Sequence, residues 1–261
     1  MQLSFSAKTL RTSMAAMALG VVSLASQATG TLAQIGSNGD DNLRLNNFSS
    51  GTSYGNHWLG AQQMTYNGGS AFWAYCIDPK TGAHFPSDLY TASSLATFMN
   101  DPAGYQGQMQ SSGYTGLSGY GYQASHATVA NRLTTLYSYA FANSLTNAQN
   151  AAAFGYVVWE IMGSSALSST AGGLRSVSDG TTHGNAIQTR VDQLINALNG
   201  TVTWASIGLA TTTNYVYTVY YDPAPHARQN FLTATAVSAP GTLALAGLGL
   251  LGAAFLLRRK A

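Results

Sequence analysis

One cysteine, Cys76, stands in the run Phe72-Trp73-Ala74-Tyr75-Cys76-Ile77-Asp78, and its thiol is the most nucleophilic side chain of the sequence. A thiol attacks substrates when a neighbouring base or cation keeps it ionised. The five histidines that could serve, His57, His84, His126, His183 and His226, are scattered and carry no local signature around the cysteine. Neither a Cys-x-x-Cys nor a His-x-x-x-His pair is present, so neither metal nor cofactor is expected. Glu160 and Asp78 could form an acid/base pair, but hydrogen bonding is the commoner job, with Asp78 organising a turn before Pro79. Asp40 and Asp41 sit among asparagines without EF-hand spacing, which predicts a solvated turn rather than a Ca²⁺ loop. A lone cysteine among aromatics is ordinarily a small buried core residue.

The cysteine run has the composition of a strand, preceded by the turn Asn67-Gly68-Gly69-Ser70 and stopped by Pro79. His57 to Tyr66 reads as its hairpin partner. With the two glycines central in the turn, Gln62 falls opposite Tyr75; a slip of one residue puts it opposite Cys76, and the sequence leaves both registers open. Residues 34–53 are polar and read as an arm with one short strand at Leu43 to Phe48; Asn47-Phe48-Ser49 is formally a glycosylation sequon. From 101 to 123 the chain is rich in glycine and tyrosine, which predicts a long loop whose tyrosines could stack on sugar rings.

Three helices are predicted next. His126 to Ser144 puts Val129, Leu133, Leu136, Tyr137, Ala140 and Phe141 on one face. Ala148 to Met162, capped by Thr146 or Asn147, is apolar nearly all round and so is expected to be buried. Asn185 to Leu198 repeats the apolar stripe and ends at Asn199-Gly200. The period then changes to two, and Val202 to Leu209, Tyr215 to Asp222 and Gln229 to Thr235 read as strands. The whole is α+β: an antiparallel β framework, sandwich-like or barrel-like, with an inserted three-helix block over 126–198.

Both ends read as addresses. Lys8 and Arg11, the apolar run Met14 to Ala25 and the small-x-small pattern Ser26-Gln27-Ala28 predict a secretory signal peptide over 1–28, with Ala33 as a second cleavage choice. Residues 242–257 are uncharged, and Arg258-Arg259-Lys260 follow. Sixteen residues at ~1.5 Å span about 24 Å, short of the ~30 Å hydrocarbon core by an amount that snorkelling and thinning can close. The basic cluster stays cytoplasmic and the preceding domain, 29–236, lies outside the inner membrane. Between these ends the chain has six basic and nine acidic residues, a net charge of −3, whereas the whole sequence is +2. That charge argues against nucleic acid as a partner. One cysteine cannot form an internal disulfide.

Val237-Ser238-Ala239-Pro240-Gly241-Thr242-Leu243, the Gly/Leu-rich run and the Arg-Arg-Lys end resemble the PEP-CTERM sorting signal. In that family a Val-Pro-Glu-Pro element precedes a short membrane helix and a basic tail. Here Ser238 replaces the first proline and Ala239 the glutamate. The resemblance implies an exosortase-type protease as partner, transient attachment to the inner membrane, and delivery to the envelope or extracellular matrix; plain anchoring is the other reading.

Tyr75-Cys76-Ile77-Asp78, together with Val158-Trp159-Glu160-Ile161 on a buried helix, is similar to the thioester domain of bacterial surface proteins. In that family the strand cysteine is joined to a glutamine of a Gln-x-x-aliphatic-Trp helix, and an amine later opens the bond. The resemblance makes Tyr75, Asp78, Trp159 and Glu160 supports of the motif. The glutamine position falls on Gly155, which offers no acyl group. Gln149, on the same helix, faces about 240° away. Gln62 is nearer, but a cross-strand side chain is expected to run parallel to the cysteine rather than across a pocket.

The expected protein is therefore an exported, non-enzymatic surface protein, structural or adhesive, with a free and partly buried thiol. Its further partners would be extracellular polysaccharide or surface amines. The alternatives are a covalently attaching adhesin that forms its thioester through a substitute glutamine, and a secreted hydrolase using Cys76.

Overall fold

The computed structural model describes residues 29–46, 53–80, 86–110, 114, 117–224 and 228–237. The predicted signal peptide, the sequon, residues Ser238, Ala239 and Pro240, the apolar run and Arg258, Arg259 and Lys260 lie outside these residues. No helix among the described residues is long and apolar enough to cross a membrane.

Six strands close an antiparallel barrel: β1 (Thr29–Asp40), β4 (Leu59–Tyr66), β5 (Phe72–Cys76), β9 (Phe231–Ala236), β8 (Tyr215–Tyr221) and β6 (Ser87–Ser94), in that order around the wall. A second sheet of three short strands, β3 (Tyr54–Asn56), β2 (Leu43–Asn46) and β7 (Ser176–Ser178), lies beside it. Strand β1 corrects the expectation of a polar arm. Its Gly, Ser and Asn content is poor in strand formers, yet it is hydrogen-bonded to β4 on one side and β6 on the other. Closing the barrel removes two edges that would otherwise be left unpaired.

The hairpin of β4 and β5 also departs from both predicted registers. Asn67 and Gly68 take positive φ, 51° and 67°, and the Gly69 N–H donates to Tyr66 O at 3.0 Å, so the turn is tighter than one centred on two glycines. In the resulting ladder Gln62 lies opposite Ala74 and Ala61 opposite Tyr75. Gln62 therefore shares a face of the sheet with Ala74 and Cys76.

The three predicted helices are α3 (His126–Ser144), α4 (Ala148–Gly163) and α5 (Thr182–Leu198). The side chains of Ser125, Asn147 and Thr181 cap them by accepting from Thr128, Asn150 and Gly184 N–H groups. Helix α4 is the centre of the molecule: every residue from Ala151 to Gly163 is buried, against the barrel wall at β1, β4 and β5 and against α3 and α5. The six apolar residues of the α3 stripe are buried as expected.

Two further expectations are corrected. Residues 101–123 are not a plain loop. After α1 (Leu95–Asn100) they form a π-helical turn at Pro102–Gln106 and a short α2 (Gly107–Gln110), with Asp101 accepting from Ala103 N–H at 2.9 Å. Tyr105, Tyr114 and Tyr120 belong to the core and present no ring to a sugar. Val202 to Leu209 is not a strand either. Thr203 accepts from Ser206 N–H through its hydroxyl, and a 3₁₀ turn over Ala205–Ile207 ends at Gly208 with φ 79°. Local hydroxyl–backbone bonding has outcompeted the apparent alternation. Asp40 forms the expected turn, accepting from Asn42 N–H at 2.8 Å.

Candidate functional site at Cys76

Cys76 ends β5, and its backbone is gripped from two sides. The Ile77 N–H donates to Asn230 O at 2.9 Å, and the Trp159 indole N–H donates to Cys76 O at 2.9 Å. Trp159 itself is held from behind, where the Tyr120 hydroxyl donates to its carbonyl at 2.8 Å. The two motif halves, on β5 and α4, thus meet as the sequence implied. The cysteine is free and buried, and its thiol donates to Asp78 O at 3.0 Å.

Asp78 turns the chain as expected, accepting from Lys80 N–H at 3.2 Å. It also accepts from the Tyr114 hydroxyl at 2.5 Å, which the sequence did not indicate. Tyr75 points to the other face, donating to Ser144 Oγ at 2.7 Å and packing on Phe154 at a centroid distance of 4.5 Å. Glu160, the sole glutamate of the chain, is fully buried and accepts from Ser168 N–H at 3.1 Å. Burial pushes its carboxyl up to about 8. Glu160 thus belongs to the buried α4 core.

Gly155 is at the cysteine. Gly155 and Cys76 line one small cavity of about 20 Å³ together with Trp58, Leu59, Gly60, Gln62, Trp159 and Gln229. Two of these are glutamines. Gln62 is 6 % exposed, and its side-chain oxygen is buried without a hydrogen-bond partner. Gln229 lines the cavity from the loop before β9. Gln62, expected to run parallel to the cysteine, lies diagonal to Cys76 on the same face in the register that puts it opposite Ala74, and both line the cavity. Gln229 had no sequence signal, since it lies in the loop before β9.

The electrostatics oppose a reactive thiol. Burial, and next the negative charge of Asp78, hold the Cys76 thiol well above its usual range. No histidine is among the residues that line the cavity. His126 instead faces Tyr122, and His183 faces Asp40. The cavity is also far below the roughly 300–1,000 Å³ of a small-molecule site.

Residues 236–260 match the PEP-CTERM protein-sorting motif, so the chain carries that sorting signal at its C-terminus. The motif marks an exported protein sorted to the cell envelope. Among solved structures, the chain is similar to the N-terminal domain of the Streptococcus pyogenes pilus tip adhesin Cpa, with 14 % identity and a TM-score of 0.40 over 76 % of this chain and 95 % of that one. It is also similar to the N-terminal thioester domain of the fibronectin-binding protein SfbI from Streptococcus pyogenes, with 12 % identity and a TM-score of 0.38 over the same shares. No curated protein matches the chain.

Proposed function

We propose that this is a structural or adhesive surface protein, non-enzymatic, which an exosortase-type protease releases from a transient inner-membrane tether into the envelope or matrix. One observation carries the reading: the sorting motif starts at Ala236, the last residue of β9. A cut within the motif would leave every strand of the barrel intact. Comparing the mature C-terminus in cells with and without the sorting protease tests it. A C-terminus still at Ala261 in both would replace sorting by plain anchoring.

A second reading is favoured by the unpartnered oxygen of Gln62 beside Cys76. In it the thiol sulfur attacks the Gln62 side-chain carbonyl carbon, and the amide nitrogen leaves as ammonia with the thiol proton. A closed, dry pocket would preserve such a thioester until a surface amine takes the acyl group and restores the thiol. Intact mass decides between the readings. A mass lower by one ammonia, with methylamine incorporated at Gln62, supports attachment; an unmodified mass with one titratable thiol removes it. A hydrolase reading has less support, because the thiol is held protonated and no histidine lines its cavity.

A further inference from the structure

A second depression, shallow, open to solvent and lined by other residues than the cysteine cavity, lies between the α3–α4 turn and α5 and spans about 520 Å³. Asn143, Asn150, Asn185 and Gln193 line it with amides, Thr189 adds a hydroxyl, and Arg190 supplies the charge. Neither Asp, Glu nor Lys is among the lining residues, and Ala186 is the apolar contribution.

Arg190 is half-buried, and all of its hydrogen bonds go to neutral acceptors: Gln193 Oε1 at 3.0 Å, Ile207 O at 3.0 Å and Asn143 Oδ1 at 2.7 Å. Arg190 is in neither the Arg228–Asp222 ion pair nor the His183–Asp40 contact. A guanidinium offers five N–H donors in a planar fork that fits a carboxylate. These bonds use both Nη1 hydrogens and one of Nη2, leaving Nε–H and the other Nη2 hydrogen on a charge that no carboxylate among the described residues meets.

We infer that this groove binds a carboxylate-bearing glycan, with the uronate carboxylate on Arg190 and the sugar hydroxyls on the amides. Asn143 and Gln193 give their side-chain oxygens to Arg190, and Asn150 gives its amide nitrogen to Asn143 O and Thr146 Oγ1. This leaves amide N–H donors on the first two, an acceptor on Asn150 and both on Asn185 for sugar hydroxyls. A lipid or apolar peptide finds little to bury there. A nucleic acid meets one cation on a protein whose exported part is net negative. Outside the lining residues, Tyr139, one turn before Asn143 on α3, stacks on Trp204 at 4.6 Å and 2°, and both rings are partly exposed.

The inference rests on the surface-protein reading only for where the glycan would be met. Titrating the purified exported protein with polygalacturonate, and with the same polymer methyl-esterified, tests it apart from that reading. Binding of the acid form at least about ten-fold tighter than the ester is expected, since the esters remove the partner of Arg190. Ala186→Glu places a carboxylate one turn before Arg190 on an exposed helix face, where Glu at i and Arg at i+4 pair. It should cost the acid form at least about ten-fold in affinity with an unchanged melting temperature. Equal binding of acid and ester, binding of neither, or indifference to Ala186→Glu would each overturn the inference. Loss of surface sorting would leave it standing.

Discussion

A Cβ built on Gly155 would sit 3.2 Å from the backbone nitrogen of Gly60, so helix α4 and strand β4 touch glycine to glycine beside the cysteine. Gly155, which the sequence resemblance aligns with the thioester glutamine, is thus the site of a close backbone approach. Gly155→Gln should not restore the motif in place. Its side chain exceeds a cavity of about 20 Å³, and overpacking of this kind costs about 1–3 kcal/mol. The expected result in a denaturant titration is a lower midpoint with no mass loss of ammonia. Gly155→Ala should come out near neutral, because the tight contact offsets a helix-propensity gain of ~1 kcal/mol.

Trp159→Phe keeps a six-membered aromatic ring but removes the pyrrole half of the indole, and with it the N–H that Cys76 O accepts. A buried carbonyl left without its donor costs about 1–3 kcal/mol. Chemical denaturation should show that loss with an unchanged m-value, whereas a fall below a few tenths of a kcal/mol would mean the carbonyl has found another donor.

Glu160 sets a pH dependence of definite sign. Burial raises its folded pKa to about 8 from 4.5, so the folded state keeps a proton that the unfolded chain releases. Its contribution to stability is greatest at low pH and falls as pH rises from about 4.5 to 8, by up to about 1.4 kcal/mol per unit. Arg132 on α3 opposes the shift, while Tyr120 and Tyr156, both held neutral by burial, add no charge of their own. Glu160→Gln should flatten the stability profile across this window. An equally steep profile in the variant would assign the slope elsewhere.

Cys76 is expected to resist alkylation in the folded protein and to react at once in denaturant, provided no thioester has consumed it. Burial withholds the thiolate as well as access. Tyr114→Phe, which removes a donor to the Asp78 carboxylate, should speed native-state labelling by loosening the turn on which the thiol rests. Identical labelling rates would show that the turn holds without it.

The parts of this fold that could be read beforehand are those where apolar residues recur with a clear period. Val129, Leu133, Leu136 and Phe141 announce α3, and the uninterrupted apolar character of α4 announces its burial. Strand β1 was hidden because its residues are ordinary loop formers and its order comes from ladders to β4 and β6, both far along the chain. The buried tyrosines at 105, 114 and 120 were hidden for a related reason. Each fits the core because its hydroxyl reaches a distant acceptor, for Tyr120 the carbonyl of Trp159, and no local pattern encodes that. At the site, Cys76, Trp159 and Gly155 were legible from motif spacing. Gln62 was named as the nearer glutamine, but its register, fixed by the Asn67-Gly68 turn, was not legible, and Gln229, on a loop before the last strand, was missed altogether.

The position of β9 has a mechanical consequence. A pull transmitted through the C-terminal tail enters the domain at Ala236 and runs along a strand that is bonded on both flanks, to β5 and to β8. Antiparallel ladder bonds lie across the strand, so such a force loads both rows in shear and together, rather than peeling them one bond at a time. Cys76 lies opposite Phe231 in one of those rows. Tension between the tail and the cysteine is therefore borne by a single strand junction, and the helices that cover the barrel stay out of the load path.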